Sequence, residues 1–305
     1  MVMNRIDLEN FKMFKNDIMI DFCPGVNIFI GRNATGKTSL LKRLYELEST
    51  LNISEDTSLE TTYSDQFSAI IYETSMNENR IIFVPEKDIL EHAKGLLTFI
   101  EQKQTGFGTI YKDVLINAQD VPTQQQSETQ KSIVAVIAEI IGGVVQRDDR
   151  DGTYYTLRKD GTRIPFHDEA SGYKRLGYLG LLAASGQLES GSVLLWDEPE
   201  NSLNREIVPK LVNLLLELAG NGVQIFLATH DYNLARYFDV RQNKSIPVLF
   251  HHLRMEDNGK VICESTPEYI KMTDNHMERA SEALFKAVVA DAMEIHVERK
   301  AVNAT

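Results

Sequence analysis

The sequence predicts an α/β fold built on a mixed sheet, and three observations carry that expectation. An apolar run (Val26, Ile28, Phe29, Ile30) leads through the loop Gly31 to Gly36 into a segment with Leu40, Leu44, Leu47 and Leu51 at helical spacing. Two further apolar runs, Ser192 to Trp196 and Gly222 to Ala228, read as buried strands, the first of them parallel by type, and they end in Asp197-Glu198 and in Thr229-His230-Asp231. Residues 4 to 22 hold two short alternating runs, Ile6/Leu8 and Ile18/Ile20/Phe22, which predict an antiparallel hairpin feeding the first strand.

Length and composition agree with this class. A chain of 305 residues, 43% apolar, can bury a large core as one big domain or as a domain with an inserted lobe. Only Cys23 and Cys263 are present, which argues for a reduced, cytoplasmic setting rather than a disulfide scaffold. No apolar run approaches the roughly 20 residues that span a bilayer, and MVMNRIDLENF has no signal-peptide core, so neither a membrane partner nor export is expected. The net charge of −12 weighs against a uniformly basic nucleic-acid binder and leaves only a local basic groove for that role.

The loop between the first strand and its helix carries the most specific chemistry. Gly31-Arg32-Asn33-Ala34-Thr35-Gly36-Lys37-Thr38 fits GxxxxGK[ST], with Ser39 next on the helix. Its glycines let successive backbone N–H groups turn inward around the phosphates of a nucleotide. Lys37 is expected to reach the β- and γ-phosphates, Thr38 to ligate Mg²⁺, and the helix N-terminus to add its partial positive charge. Asp197 and Glu198 stand at a strand's C-terminal end, where open α/β sheets place ligands. Asp197 is expected to hold Mg²⁺, Glu198 to orient or deprotonate the attacking water, and His230 to sense the γ-phosphate end.

Elsewhere the pattern is read in order. Asn52 to Ser64, rich in Ser, Thr, Glu and Asp, predicts an exposed loop or lid edge, followed by strands at Phe67 to Tyr72 and Arg80 to Val84 that Pro85 ends. From Glu86 to Ile141 the spacing is helical and predicts an inserted arm, with Pro122 to Gln130 as a solvated connector. Short strands at Val144 to Arg147, Thr153 to Arg158 and Thr162 to Phe166 are joined at Asp151-Gly152 and Asp160-Gly161, dipeptides suited to turns that need positive φ. A helix of small residues follows (Gly177, Gly180, Ala183, Ala184), then an amphipathic helix over 206 to 218 interrupted by Pro209, a hairpin at Asp257-Asn258-Gly259, and a helical stretch from Pro267 to Arg299. The chain is thus divided into an N-terminal lobe (1–85), the arm (86–141) and a C-terminal lobe (142–305).

These residues together resemble the ATPase heads of the ABC type, in the branch of the AAA family that includes SMC, RecF and OLD-class proteins. The resemblance rests on the phosphate loop, on Asp197-Glu198-Pro199, on Asn201-Ser202-Leu203-Asn204 in the place of the D-loop, on Thr229-His230, and on Glu169-Ala170-Ser171-Gly172 in the place of the signature. It implies a P-loop NTPase fold, ATP and Mg²⁺ as ligands, ATP hydrolysis, and a head-to-head homodimer with composite sites. In such a site Ser171, Gly172, Lys174 and Asn201 of one subunit would meet ATP on the other. Lys174 and Arg175 also put two cations in the first turn of a helix starting near Ser171, against the macrodipole, and a partner-bound phosphate would offset them.

Two features depart from the family pattern. The Gln expected before the arm is absent from Phe83-Val84-Pro85-Glu86-Lys87, which leaves that role to Glu86 or to no residue, with Gln66 a poor substitute. The signature keeps only Ser171-Gly172, and Asn204 replaces the usual Asp. No long coiled coil fits in the arm and no nuclease-like acidic cluster follows His230, since His251, His252 and Asp257 read as strand and turn residues; a compact head is expected. By analogy with compact members, it is expected to act as a switch or motor on a separately encoded effector in antiviral defence or DNA maintenance. The alternatives are a nucleotide-gated interaction module with little turnover and the ATPase subunit of a transporter.

Overall fold

The structure, a computed structural model, describes residues 2–9, 14, 17–51, 58–63, 67–73, 80–102, 108–243 and 245–302. Alternating apolar residues make β1 (Met3–Glu9) and β2 (Ile18–Asp21) an antiparallel hairpin, as the sequence predicts. The fully buried strand β3 (Val26–Gly31) then runs through the loop into α1 (Lys37–Leu51), whose Leu40 and Leu44 are buried. Ser58–Tyr63, expected in a loop, is instead the edge strand β4, paired with β5 (Phe67–Glu73). Its Thr61-Thr62-Tyr63 run favours extended backbone and outweighs the acidic and Ser-rich start. Residues 52–57 of the expected loop, and Gln66, lie outside the described residues.

After β6 (Ile81–Val84) the chain is helical, with α2 (Ala93–Gln102), α3 (Thr109–Asn117) and α4 (Glu128–Ile141). A reciprocal Ser127–Gln130 capping box starts α4, and Gly142, at φ 71°, ends it in the left-handed conformation that glycine adopts without strain. Gln130, expected in a solvated connector, is therefore buried, and it bonds Glu189 as well. A three-stranded meander follows, β7 (Gly143–Arg147), β8 (Tyr154–Arg158) and β9 (Arg163–Pro165), turning at Gly152 and Gly161 with positive φ. The small residues of α5 (Ser171–Ala184) allow close approach: a Cβ on Gly177 would lie 2.5 Å from Val145 Cγ2.

The remaining elements are β10 (Val193–Asp197), α6 (Val208–Gly220), β11 (Gln224–Thr229), α7 (Tyr232–Arg241), the hairpin of β12 (Val248–Met255) with β13 (Val261–Thr266), and α8 (His276–Val302). Pro209 opens α6 rather than interrupting it, because a first-turn N–H has no helical partner to lose. The central sheet runs β13-β12-β3-β11-β10-β6, parallel except for β13, and a separate antiparallel sheet runs β2-β1-β5-β4.

Strand residues alternate between two cores. Ile28, Ile82, Trp196 and Leu227 face α4, α5 and α6, together with Val114 and Leu115 of α3; Phe29, Phe83, Leu195 and Phe226 face α1 and the β1–β2 hairpin. Burial on both faces explains why these strands read as continuous apolar runs. Parallel pairing brings the C-terminal ends of β3, β6, β10 and β11 to one edge of the sheet, where the loop to Thr38, Glu86, Asp197-Glu198 and Thr229-His230 follow them.

Candidate functional site

The loop after β3 owes its shape to backbone that few residues tolerate. Ala34 and Gly36 have φ of 65° and 98°, and a Cβ on Gly31 would meet the Leu253 carbonyl oxygen at 2.5 Å and Thr35 Oγ1 at 2.6 Å. Thr35 points inward and donates to the Arg32 carbonyl at 2.9 Å, which makes it a brace of the loop. The Lys37 ammonium is buried and donates to the carbonyls of Gly31 (2.9 Å) and Arg32 (3.2 Å). Burial lowers its pKa, opposed by the charges of Glu198, Asp197 and Glu200.

Asn33, Ala34, Gly36, Lys37, Thr38 and Ser39 line an open cleft of about 380 Å³ with Glu86, Glu198 and His230. Arg32 lies on the other side of the loop, in a groove with Tyr232 and His276. Thr38 Oγ1 lies 3.1 and 2.9 Å from the two carboxylate oxygens of Asp197. Burial pushes Asp197 up to about 6, helped by the charges of Glu198 and Glu86 and opposed by the Thr38 bond. A hydroxyl and a carboxylate of this kind, beside a glycine-bearing loop at a helix N-terminus, are the hard oxygen donors that Mg²⁺ prefers. On that ground the residues fit a magnesium nucleotide.

Glu198 follows β10 with a positive φ of 48°, and its amide donates to the Ala228 carbonyl at 2.9 Å. A non-glycine residue in that region is strained and persists only where its surroundings hold it. Here Arg175 Nη1 donates to the Glu198 carbonyl at 2.7 Å, and His230 Nδ1 lies 2.6 Å from Glu198 Oε2. The carboxylate lies at the cleft beside His230, where it can accept a proton from a water attacking a terminal phosphate. Glu86, left open by the sequence, lines the same cleft and accepts from Asn201 Nδ2 at 3.3 Å.

The signature-like residues are placed differently from one another, and Ser171, Gly172, Lys174 and Asn201 do not line this cleft. Ser171 is exposed at the start of α5, whereas Gly172 is buried where a Cβ would lie 2.5 Å from the Ser202 carbonyl oxygen. Its smallness thus serves packing within the chain. The counter-charge expected from a docked phosphate is supplied internally as well. Lys174 is buried and paired with Glu91, and Arg175 is buried against the Glu198 carbonyl. Lys174 meets Glu91 because the short turn at Leu90–His92 packs against the turn at Phe166–Asp168, just before this helix.

Sequence reasoning passed over Glu200. It accepts from Thr229 Oγ1 at 2.5 Å, and ligand atoms of Glu198, Glu200 and His230 lie within 4.8 Å of one another. The signal was a third carboxylate two residues beyond Glu198, easily taken for turn polarity.

Comparison with known proteins agrees with this geometry. A family model described as "AAA ATPase domain" matches residues 1–70, and one described as "AAA domain, putative AbiEii toxin, Type IV TA system" matches residues 111–236. The DNA replication and repair protein RecF of Lactobacillus acidophilus is 47% identical over 47 residues, 15% of this chain and 12% of RecF. The energy-coupling factor transporter ATP-binding protein EcfA of Methanothermobacter thermautotrophicus is 28% identical over 119 residues, 39% of this chain and 33% of EcfA. The chain thus spans between about an eighth and a third of these relatives' length. Among solved structures, an SMC head bound to the C-winged helix domain of ScpA aligns with a TM-score of 0.53 at 13% identity, covering 87% of this chain and 98% of that one. The Pyrococcus furiosus Smc head with an extended coiled coil aligns at 0.50 and 12% identity, covering 94% and 99%. The chain therefore matches AAA ATPase domain models over residues 1–70 and 111–236 and has the fold of an SMC head.

Proposed function

We propose that this chain hydrolyses ATP in a head-to-head dimer and uses the cycle to switch a partner protein. The observation that carries the reading is the convergence on one cleft of Lys37, of the Thr38–Asp197 pair and of a Glu198 carboxylate engaged by His230. Lys37 faces the β- and γ-phosphates, and Glu198 takes the proton of the attacking water while His230 keeps its carboxylate in place. Thr38 and Asp197 would hold Mg²⁺, which would supply neutralising charge to the transferred phosphoryl group. Ser171, exposed at the N-terminus of α5, is the residue offered to ATP on a second copy.

The partner is a separately encoded effector, received on the outer surface of the 86–141 arm, where Phe99, Ile116 and Val121 are exposed. Antiviral defence and DNA maintenance are the settings favoured by the likeness of residues 111–236 to the AbiEii toxin family and by the RecF likeness. A second reading, a nucleotide-gated module with little turnover, is favoured by Glu86 standing where related heads carry a Gln.

The two mutational arms separate binding from chemistry. Lys37→Ala should abolish ATP binding in a calorimetric titration. Glu198→Gln should bind normally, lose turnover and accumulate a closed ATP-loaded dimer on size exclusion. Equal loss of ATP affinity in both variants would overturn the assignment, and wild-type protein without steady turnover would select the gated module.

A further inference from the structure

Two adjacent residues at the end of β11 each contact one of two nearby glutamates. His230 Nδ1 lies 2.6 Å from Glu198 Oε2, and Thr229 Oγ1 lies 2.5 Å from Glu200 Oε1. The Thr229 hydroxyl already accepts from the Asp231 amide at 2.9 Å, so its own proton goes to Glu200. The other Glu200 oxygen, Oε2, is buried beside the Glu198 carboxylate and has no donor among the described residues. Two acceptors in that position repel unless a proton lies between them. With Thr229 on one side, the proton belongs on the side that faces Glu198.

We propose that Glu200 is a positioning residue for Glu198: its carboxyl, fixed by the Thr229 hydroxyl, donates the hydrogen bond that keeps the Glu198 carboxylate turned into the phosphate cleft. Such a bond leaves Glu198 its negative charge and a free lone pair, while Glu200 stays neutral and takes no part in the proton transfer. Burial, followed by the charge of Glu198, pushes the Glu200 carboxyl well above the usual carboxylate range, as a resident proton requires. The backbone needs this second hold. Glu198 sits at φ 48°, a strained conformation for a non-glycine residue that persists only where its surroundings hold it. The inference rests on Glu198 being the residue that activates water.

The experiment is single-turnover ATP hydrolysis by the purified full chain, with nucleotide affinity and thermal melting measured beside it. Glu200→Ala should lower the rate at least 20-fold with ATP affinity within twofold of wild type. Glu200→Gln, whose amide still accepts from Thr229 and donates to Glu198, should restore the rate to within fivefold. The double variant Glu198→Gln/Glu200→Ala should be no slower than Glu198→Gln alone, because Glu200 acts only through Glu198. Where Glu200→Ala does not fold, Thr229→Val carries the same test by removing the hydroxyl that fixes Glu200, and it should lower the rate at unchanged affinity. An unchanged rate in Glu200→Ala, or in Thr229→Val when that variant carries the test, would overturn the inference. So would a Glu200→Gln rate as low as that of Glu200→Ala, or a further loss in the double variant. A wild-type rate in Glu198→Gln would instead remove the reading of Glu198 itself, and this inference with it.

Discussion

Arg175 of α5 donates from its buried guanidinium to the backbone carbonyl of Glu198, 2.7 Å away, and so ties the helix that begins at Ser171 to the glutamate proposed to activate water. The bond closes on a residue whose φ is positive, and burial lowers the Arg175 pKa against the charges of Glu200, Glu86 and Asp88. Any displacement of α5 is therefore felt at Glu198 through one hydrogen bond.

Arg175→Lys tests that link. A lysine keeps the charge but cannot reproduce the planar donor geometry, and a hydrogen bond from a charged group contributes about 1.5–3 kcal/mol. We expect turnover to fall roughly tenfold or more on that scale, with ATP affinity little changed. A variant with normal turnover would show that Glu198 holds its conformation without Arg175.

Complementation tests the composite site. A Lys37→Ala subunit and a Ser171→Arg subunit should each be inactive alone. Mixed, they form dimers with one doubly damaged site and one intact site, so part of the ATPase activity should return. No return, with mixed dimers verified by differential tagging, would mean that each subunit completes its own site.

The Lys174–Glu91 pair should matter for stability more than for nucleotide contact. Lys174 is nearly fully buried and Glu91 about a quarter exposed, so removing Lys174 leaves a carboxylate partly desolvated. Losses of 3–5 kcal/mol follow when a fully buried pair is broken, and partial exposure reduces this to about 1–3 kcal/mol. Urea melts of Lys174→Ala, Glu91→Ala and the double variant should show that much loss in the first and a smaller combined loss than additivity predicts. Additive losses would mean that the two side chains act independently.

His251 predicts a pH dependence of folding. It is buried on β12 between Ser265 Oγ (2.8 Å) and Asn27 Oδ1 (3.3 Å), packs against Phe22 and Phe29, and is pushed down to about 3 by burial alone. The unfolded chain binds this proton below the ordinary value of 6.5, while the folded chain does not until pH falls to about 3. The contribution is therefore fully present above pH 6.5 and is lost as pH falls, by up to about 1.4 kcal/mol per pH unit. His251→Gln should be less steeply destabilised than wild type between pH 7 and pH 5 in denaturant titrations. Parallel pH profiles would assign the acid sensitivity to other groups.

The sequence alone determined the elements whose signals are local. The phosphate loop needs glycines at set spacing because its backbone must take positive φ and let Leu253 approach, and that need is written into Gly31 and Gly36. Buried strands show as apolar runs because both faces are covered, and Asp197, Glu198, Thr229 and His230 were legible because they end such runs. Where two local tendencies competed, at Ser58–Tyr63, composition pointed to a loop and edge pairing with β5 made a strand. Only the tertiary structure decided which side chains meet. Glu91 and Lys174 are 83 residues apart, Thr229 and Glu200 are 29 apart, and Glu86 reaches the cleft because β6 happens to pair with β10. The partners of Lys174, Arg175 and Glu200 depend on how separate segments pack. A charged side chain takes its role from whatever counter-charge that packing brings within hydrogen-bond reach, which no local spacing encodes.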